Sequence, residues 1–239
     1  MIPLHDDIPS RRYPLMTRLL VAASILVFLY EWSLPARKLW VLVHSWGVVP
    51  ARYLSVEHVL VYRWELAVPL VTSIFLHGGW MHLASNMLYL WIFGDNVEDR
   101  MGHGRFLVFY LLVGVIGNAA HILADPTSRV PAIGASGAIA GVLGAYLVSF
   151  PGARVATLVP LGIFLTVVQV PAVLFLFAWF LLQLASGVAA LGVPSAQQVA
   201  WWAHIGGFVA GLLLVGVFAT DGRSGRARDA YVFGGRKHE

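Results

Sequence analysis

The stretch VPAIGASGAIAGVLGAYLVSF, residues 130–150, holds no charged side chain and is bounded by Arg129 and Arg154. At about 1.5 Å per helical residue it reaches roughly 30 Å, the thickness of a bilayer's hydrocarbon core. It reads as a membrane span, and its neighbours read the same way. Charge-free runs also separate Glu65 from Asp95, Arg105 from Asp125 and Arg154 from Asp221, and another follows Arg18. The whole chain of 239 residues agrees, with 59% apolar and 12% charged residues and a mean hydropathy of +0.76. Soluble domains are near half apolar and a quarter charged, so a soluble fold is excluded. The absence of cysteine excludes disulfides, thiolate metal sites and cysteine nucleophiles.

Spans are expected near 15–34, 80–96, 105–124, 134–150, 171–188 and 199–219. The first follows Arg11, Arg12 and Arg18 as a signal peptide would, but it runs into Glu31-Trp32 and Pro35 without a small-x-small cleavage site and is read as a retained span. The fold class is therefore an all-α polytopic membrane protein, a bundle of six transmembrane helices with a long external loop after the first span. Residues 1–14 form a basic N-terminal tail, 15–219 the six-span domain, and 220–239 a basic C-terminal tail. Disorder is expected only in the two basic ends. Between 36 and 79, mixed charge and the aromatics Trp40, Trp46 and Trp64 suit short helices lying in the interface. Pro160 and Pro171 interrupt 157–187, so 159–170 is taken as an interfacial or re-entrant piece ahead of the fifth span.

The net charge of +4 does not indicate nucleic acid, because the basic residues sit at the ends of apolar runs and form no single stripe. They report orientation instead. Eleven Lys and Arg fall in the two tails and the 97–105 and 151–156 loops, against five in the opposite loops, which places both termini in the cytoplasm.

Polar groups at membrane depth are costly and mark function. Ser136 lies just inside the outer end of the fourth span, His204 just inside that of the sixth, and His82 and Asn86 open the second. With six crossings, all reach one level in the outer third of the bilayer. A serine hydroxyl becomes a nucleophile when a base takes its proton, and histidine suits that task. Small-xxx-small pairs, Gly137/Gly141 and Gly207/Gly211, allow the two helices to pack closely. His204 shares a face with Gly207 and Gly211. No acid lies at this depth to complete a triad. His82 and Asn86, one turn apart, can aim at one oxyanion together with the Ser136 N–H. His77 is assigned a structural hydrogen bond in the Gly78-Gly79 bend. His77 and His82 lack the i, i+4 spacing of helical zinc pairs, and no metal or cofactor is expected.

These residues are recognisable as a set. His77-Gly-Gly-Trp-Met-His82 with Asn86, Phe93-Gly-Asp-Asn-Val-Glu98-Asp-Arg100-Met-Gly102, Gly134-Ala-Ser136-Gly137 and Ala203-His204 with Gly207 and Gly211 follow one another in an order that resembles the rhomboid intramembrane serine proteases of the basic six-span prokaryotic type. The resemblance covers about Leu70 to Gly216. It implies Ser136 as nucleophile, His204 as base, His82 and Asn86 as oxyanion support, and a Glu98/Arg100 motif that fastens the cytoplasmic end of the second span. It further implies a multi-pass protein of the cell membrane whose partners are the lipid bilayer and single-span or membrane-anchored protein substrates, cut near the outer face. One position departs from the pattern: Ala140 stands where many of these proteins have an aromatic stacked on the catalytic imidazole, leaving Phe208 or Trp201 to hold the ring. Two other readings compete. One is a catalytically silent relative that binds membrane helices; the other is a transporter using His82 and His204 as a proton relay, which would need a polar path through the whole bilayer.

Overall fold

The helix α6, Ser136–Ser149, stands at the centre of the molecule. Its residues are apolar all round, and every one from Gly137 to Tyr146 is buried, as expected of a helix surrounded by others. In the computed structural model, which describes residues 2–54, 63–161, 164–191 and 199–220, seven further helices enclose or flank it. They are α1 (Leu15–Ser33), α2 (Ala36–Trp46), α3 (Arg63–Thr72), α4 (Trp80–Met101), α5 (His103–Ala124), α7 (Ala172–Ala189) and α8 (Trp201–Phe218).

The helices α1, α5, α7 and α8 are each long and apolar enough to span a bilayer. The helix α4 joins α3, through a turn of 3-10 helix at Ser73–Phe75, at a bend of 82°. Large apolar side chains face outward on the spans, among them Leu26, Leu123, Leu213 and Val217, each at least 67% exposed. That belt is what lipid contact requires. The protein is a mostly helical, polytopic membrane protein, and its spans fall within a few residues of their expected places. The connection after α1 carries the short helices α2 and α3, as its composition predicts.

Close contacts fix the direction of the helices. Gly207 and Gly211 of α8 lie against Gly137 and Gly141 of α6, so these two run parallel. Gly117 of α5 meets Ala203 of α8, whereas Phe109 of α5 meets Phe218, so α5 and α8 are antiparallel. The starts of α4, α6 and α8 thereby share one end of the bundle. At the other end, Thr220 donates through its N–H and hydroxyl to the Arg100 carbonyl, at 3.2 and 3.0 Å.

Two expectations are corrected at that second end. The stretch 159–170, expected as an interfacial or re-entrant piece, is strand over 159–161 and 164–170 and not a re-entrant one. Strands β2 (Arg154–Leu161) and β3 (Phe164–Pro171) pair antiparallel there, and β1 (Ile2–Asp6) completes a three-stranded sheet in the order β1-β2-β3. The basic N-terminal tail is accordingly not disordered from its first residues, and a small sheet stands beside the helical bundle. The physical reason is local. Residues 154–171 are rich in Val and Thr, which favour strand, Pro171 ends β3 where no further ladder donor is needed, and the hairpin satisfies its own backbone groups. The side of the sheet carrying Asp6, Val155 and Thr157 faces the bundle, and the Asp6 carboxylate accepts from Asn96 Nδ2 at 2.8 Å and from the Tyr146 hydroxyl. The C-terminal tail from 221 onward lies outside the described residues.

Candidate active site

The helix α6 has 14 residues, about 21 Å of rise, so it is roughly 9 Å short of a full crossing. Its first residue, Ser136, lies level with the first turn of α8. The imidazole of His204, one turn into α8 and buried, reaches it: Nε2 lies 2.7 Å from Ser136 Oγ. The other ring nitrogen, Nδ1, lies 2.8 Å from Gln183 Oε1 on α7. An amide oxygen only accepts, so Nδ1 carries the proton and Nε2 is left as the acceptor for the serine hydroxyl. This is the tautomer a general base needs.

Glycine makes the approach possible. A Cβ on Gly207 would sit 2.0 Å from the Gly137 carbonyl oxygen, and one on Gly211 1.9 Å from that of Gly141. No larger residue fits at either place. The two glycines of α6 are used differently from the sequence reading. A Cβ on Gly137 would meet only ordinary contacts from 3.4 Å outward, whereas one on Gly141 would strike Val113 of α5 at 2.3 Å.

A cavity of about 760 Å³ opens beside the dyad, lined in part by Ser136, His204, His82, Asn86 and Gln183, and reaching the surface at Met81. His82 Nδ1 accepts from the Gly78 N–H at 3.3 Å. The proton of its neutral ring is therefore on Nε2, which makes Nε2 a donor. Gly134, at φ 126°, is the neighbour that lets this ring in, since a Cβ there would lie 2.7 Å from His82 Nε2. The side-chain nitrogen of Asn86 is buried and has no hydrogen-bond acceptor among the described residues. Ser136, as the first residue of α6, has an N–H with no acceptor inside its helix. The residues that carry these three donors thus all line the cavity beside the serine hydroxyl.

Residues 63–220 match the Rhomboid domain family. The chain belongs to the rhomboid family. The rhomboid relatives found among curated proteins include rhomboid protease GluP of Bacillus subtilis, 48% identical over 84 residues, which are 35% of this chain and 15% of that protein. Putative rhomboid protease YdcA of the same organism is 34% identical over 142 residues, 57% of this chain and 63% of that one. The mitochondrial presenilin-associated rhomboid-like protein of Homo sapiens is 38% identical over 93 residues, 38% and 24% of the respective chains. In each case the match spans less than two thirds of the relative.

The other residues singled out in this rhomboid sequence take clear places. His77 is buried, its ring 3.1 Å from the Phe75 carbonyl, and its backbone N–H donates to Glu31 of α1 at 3.1 Å, next to the Gly78-Gly79 bend. The Glu98 carboxylate sits at the far end of α4, where it accepts from the Met16 and Thr17 N–H groups at 2.9 and 2.7 Å and from the Thr17 hydroxyl. It caps the otherwise open N-terminus of α1 and also meets His103. Arg100 contributes its carbonyl to Thr220, fastening the end of α8. No group of three or more metal-ligating side chains occurs among the described residues.

Two residues escaped the sequence reading. Gln183 is the partner of His204, and Trp179, one turn before it on α7, lies 6.1 Å from the imidazole at a tilt of 30°. Trp201 meets the same ring edge-on at 5.9 Å, and Phe208 supports Trp179. The ring that an aromatic at position 140 would hold is held here from α7 and from the start of α8. The available signal was Gln183 itself, an amide in the middle of LFLFAWFLLQLAS.

Proposed function

We infer that this rhomboid is an intramembrane serine endopeptidase that hydrolyses a peptide bond in or beside the transmembrane segment of single-span or membrane-anchored proteins. The observation that carries this reading is the 2.7 Å contact between Ser136 Oγ and His204 Nε2, with Nδ1 oriented by Gln183. His204 takes the serine proton as the hydroxyl adds to the carbonyl carbon, and the resulting oxyanion is held by His82 Nε2–H, Asn86 Nδ2–H and the Ser136 N–H. The imidazolium then protonates the leaving amine, and water hydrolyses the acyl-enzyme with His204 again as base.

The charge bias supports a cell-membrane protein with both termini in the cytoplasm and the dyad facing outward. A serine in the wall of a cavity suits a substrate helix that must unwind before its backbone can enter, since a helical peptide bond in lipid is already satisfied. The decisive experiment is cleavage of model single-span substrates by the protein in liposomes, compared with Ser136→Ala and His204→Ala. Each variant should insert normally and cut nothing, and the double variant should be no worse than either single. Undiminished cleavage by folded Ser136→Ala would overturn the assignment, and a wild type that binds helices without cutting them would leave the silent-binder reading.

A further inference from the structure

A second cavity, of about 500 Å³, lies at the opposite end of the bundle from the dyad and has Arg11, Arg12 and Arg18 in its walls with Tyr13, Trp91 and Asp95. We propose that this cleft, formed by the segment ahead of α1 and the outer face of α4, holds the phosphate of an anionic phospholipid headgroup.

The level is right for a headgroup. Trp91 is 53% exposed and Tyr13 62%, and beyond Trp91 the helix α4 turns polar with Asp95, Asn96, Glu98, Asp99 and Arg100. Exposed Trp and Tyr at such a change mark the edge of the hydrocarbon.

The guanidinium of Arg18 is held in place and keeps donors to spare. It lies 4.3 Å from the Tyr13 ring centre and 5.3 Å from that of Trp91, and donates once, to the Tyr13 hydroxyl at 2.9 Å. A guanidinium has five N–H donors in a planar fork that matches a phosphate. The segment carrying the other two arginines is fastened by its backbone and leaves their side chains available: the Arg11 N–H donates to Asp99 Oδ2 at 3.3 Å, and the Arg12 carbonyl accepts from Ser10 Oγ at 2.9 Å. No hydrogen bond or ion pair among the described residues engages the guanidinium of Arg11 or Arg12. The open end of α1 is not the attraction, because Glu98 already occupies its first N–H groups. Three cations against one carboxylate in the lining leave an excess of positive charge that a singly charged phosphodiester partly offsets. Basic pockets beside spans are suited to such headgroups.

Placement in the cytoplasmic leaflet rests on the orientation proposed above, whereas the headgroup chemistry does not. The test therefore uses the full-length protein in symmetric nanodiscs, where its outcome is independent of both topology and proteolysis. Phosphatidylglycerol retained after detergent extraction is counted by native mass spectrometry against phosphatidylcholine. Wild type should retain phosphatidylglycerol at least about tenfold over phosphatidylcholine, and Arg11→Gln, Arg12→Gln and Arg18→Gln should each reduce this roughly fivefold. Arg37→Gln and Arg129→Gln, at the other end of the bundle, should leave it unchanged. Arg18→Lys keeps the charge but loses the fork, so partial retention with unchanged melting separates recognition from folding. Equal retention of both lipids by wild type, or an undiminished preference in the triple Gln variant, would overturn the proposal. Displacement of phosphatidylglycerol by millimolar inorganic phosphate would also overturn it, assigning the cleft to the free ion.

Discussion

Gly207→Ala is the sharpest perturbation the contact between α6 and α8 offers. The new methyl would start 2.0 Å from the Gly137 carbonyl oxygen, where ordinary contact begins near 3.4 Å, and the atom it strikes is backbone that cannot swing aside. The two helices must part by about 1.4 Å in that region, and His204 lies only one turn from the wedge. Its 2.7 Å contact with Ser136 would open to about 4 Å, beyond hydrogen-bond reach. A displacement of this size at a reacting pair costs roughly 10²-fold in rate, or about 2.7 kcal/mol of barrier, in addition to some 1–3 kcal/mol of stability for overpacking. The assay is kcat/KM on one model substrate in one lipid, normalised to protein that melts cooperatively. Two companions make it discriminating. Gly137→Ala lies in the same contact but has its nearest neighbour at 3.4 Å, and Gly216→Ala, on the same helix, has nothing within 4 Å; both should stay within a few fold of wild type. A folded Gly207→Ala with near-normal turnover, or a Gly137→Ala that is equally damaged, would refute the idea that this close approach sets the dyad.

Other expectations follow from particular groups. Gln183→Ala removes the acceptor that fixes the His204 tautomer and should lower kcat with little change in KM, whereas Gln183→Glu should move the acidic limb of the kcat profile; a profile unmoved by both changes would reduce Gln183 to packing. Asn86→Ala should lower kcat by up to roughly 10²-fold while melting changes little, and a loss of activity that only tracks the loss of folded protein would remove it from the oxyanion site. Burial raises the Asp6 carboxyl above its ordinary 3.8, with Tyr146 opposing. The folded state therefore binds the proton more tightly than the unfolded one, and this group's contribution falls as pH climbs from about 4 through its folded value. Asp6→Asn should gain melting temperature relative to wild type across that rise, and parallel curves would contradict the sign. Cysteines placed at Thr127 and Gly152 of this cysteine-free chain should react with an impermeant thiol reagent from outside and from inside, respectively; labelling of both from one side would break the proposed orientation.

What the sequence disclosed follows from how locally each feature is encoded. The spans are continuous apolar runs, and the start of α4 at Trp80 or the end of α5 at Ala124 is legible from a charge or glycine nearby. The depths of Ser136 and His204 follow from counting residues along those spans. The β2–β3 hairpin was hidden because, in a membrane protein, a Val-rich run with two prolines resembles a broken span, and the partner that completes its sheet is at the other end of the chain. Gln183 was passed over because an uncharged amide among Leu and Phe does not interrupt hydropathy. Its role depends on how α7 rotates against α8, which no periodicity reports. The division of labour between Gly137 and Gly141 is equally tertiary, since it depends on where Val113 of α5 points.

The pairing of β1 with β2 has a consequence for biosynthesis. Ile2 is matched with Leu158 and Asp6 with Val155, so the Ile2–Asp6 segment cannot find its place until Val155–Leu158 has been synthesised. At about 5–20 residues per second this is a wait of roughly 8–30 seconds. During that interval α1 is already available for insertion while Ile2–Asp6 remains an unpaired edge with a neighbouring Asp6-Asp7 pair to keep it soluble. Tyr146 and Asn96 meet Asp6 only once α4 and α6 are both in place. The pairing of β1 thus waits on the central helix, and its closure registers that this helix has arrived.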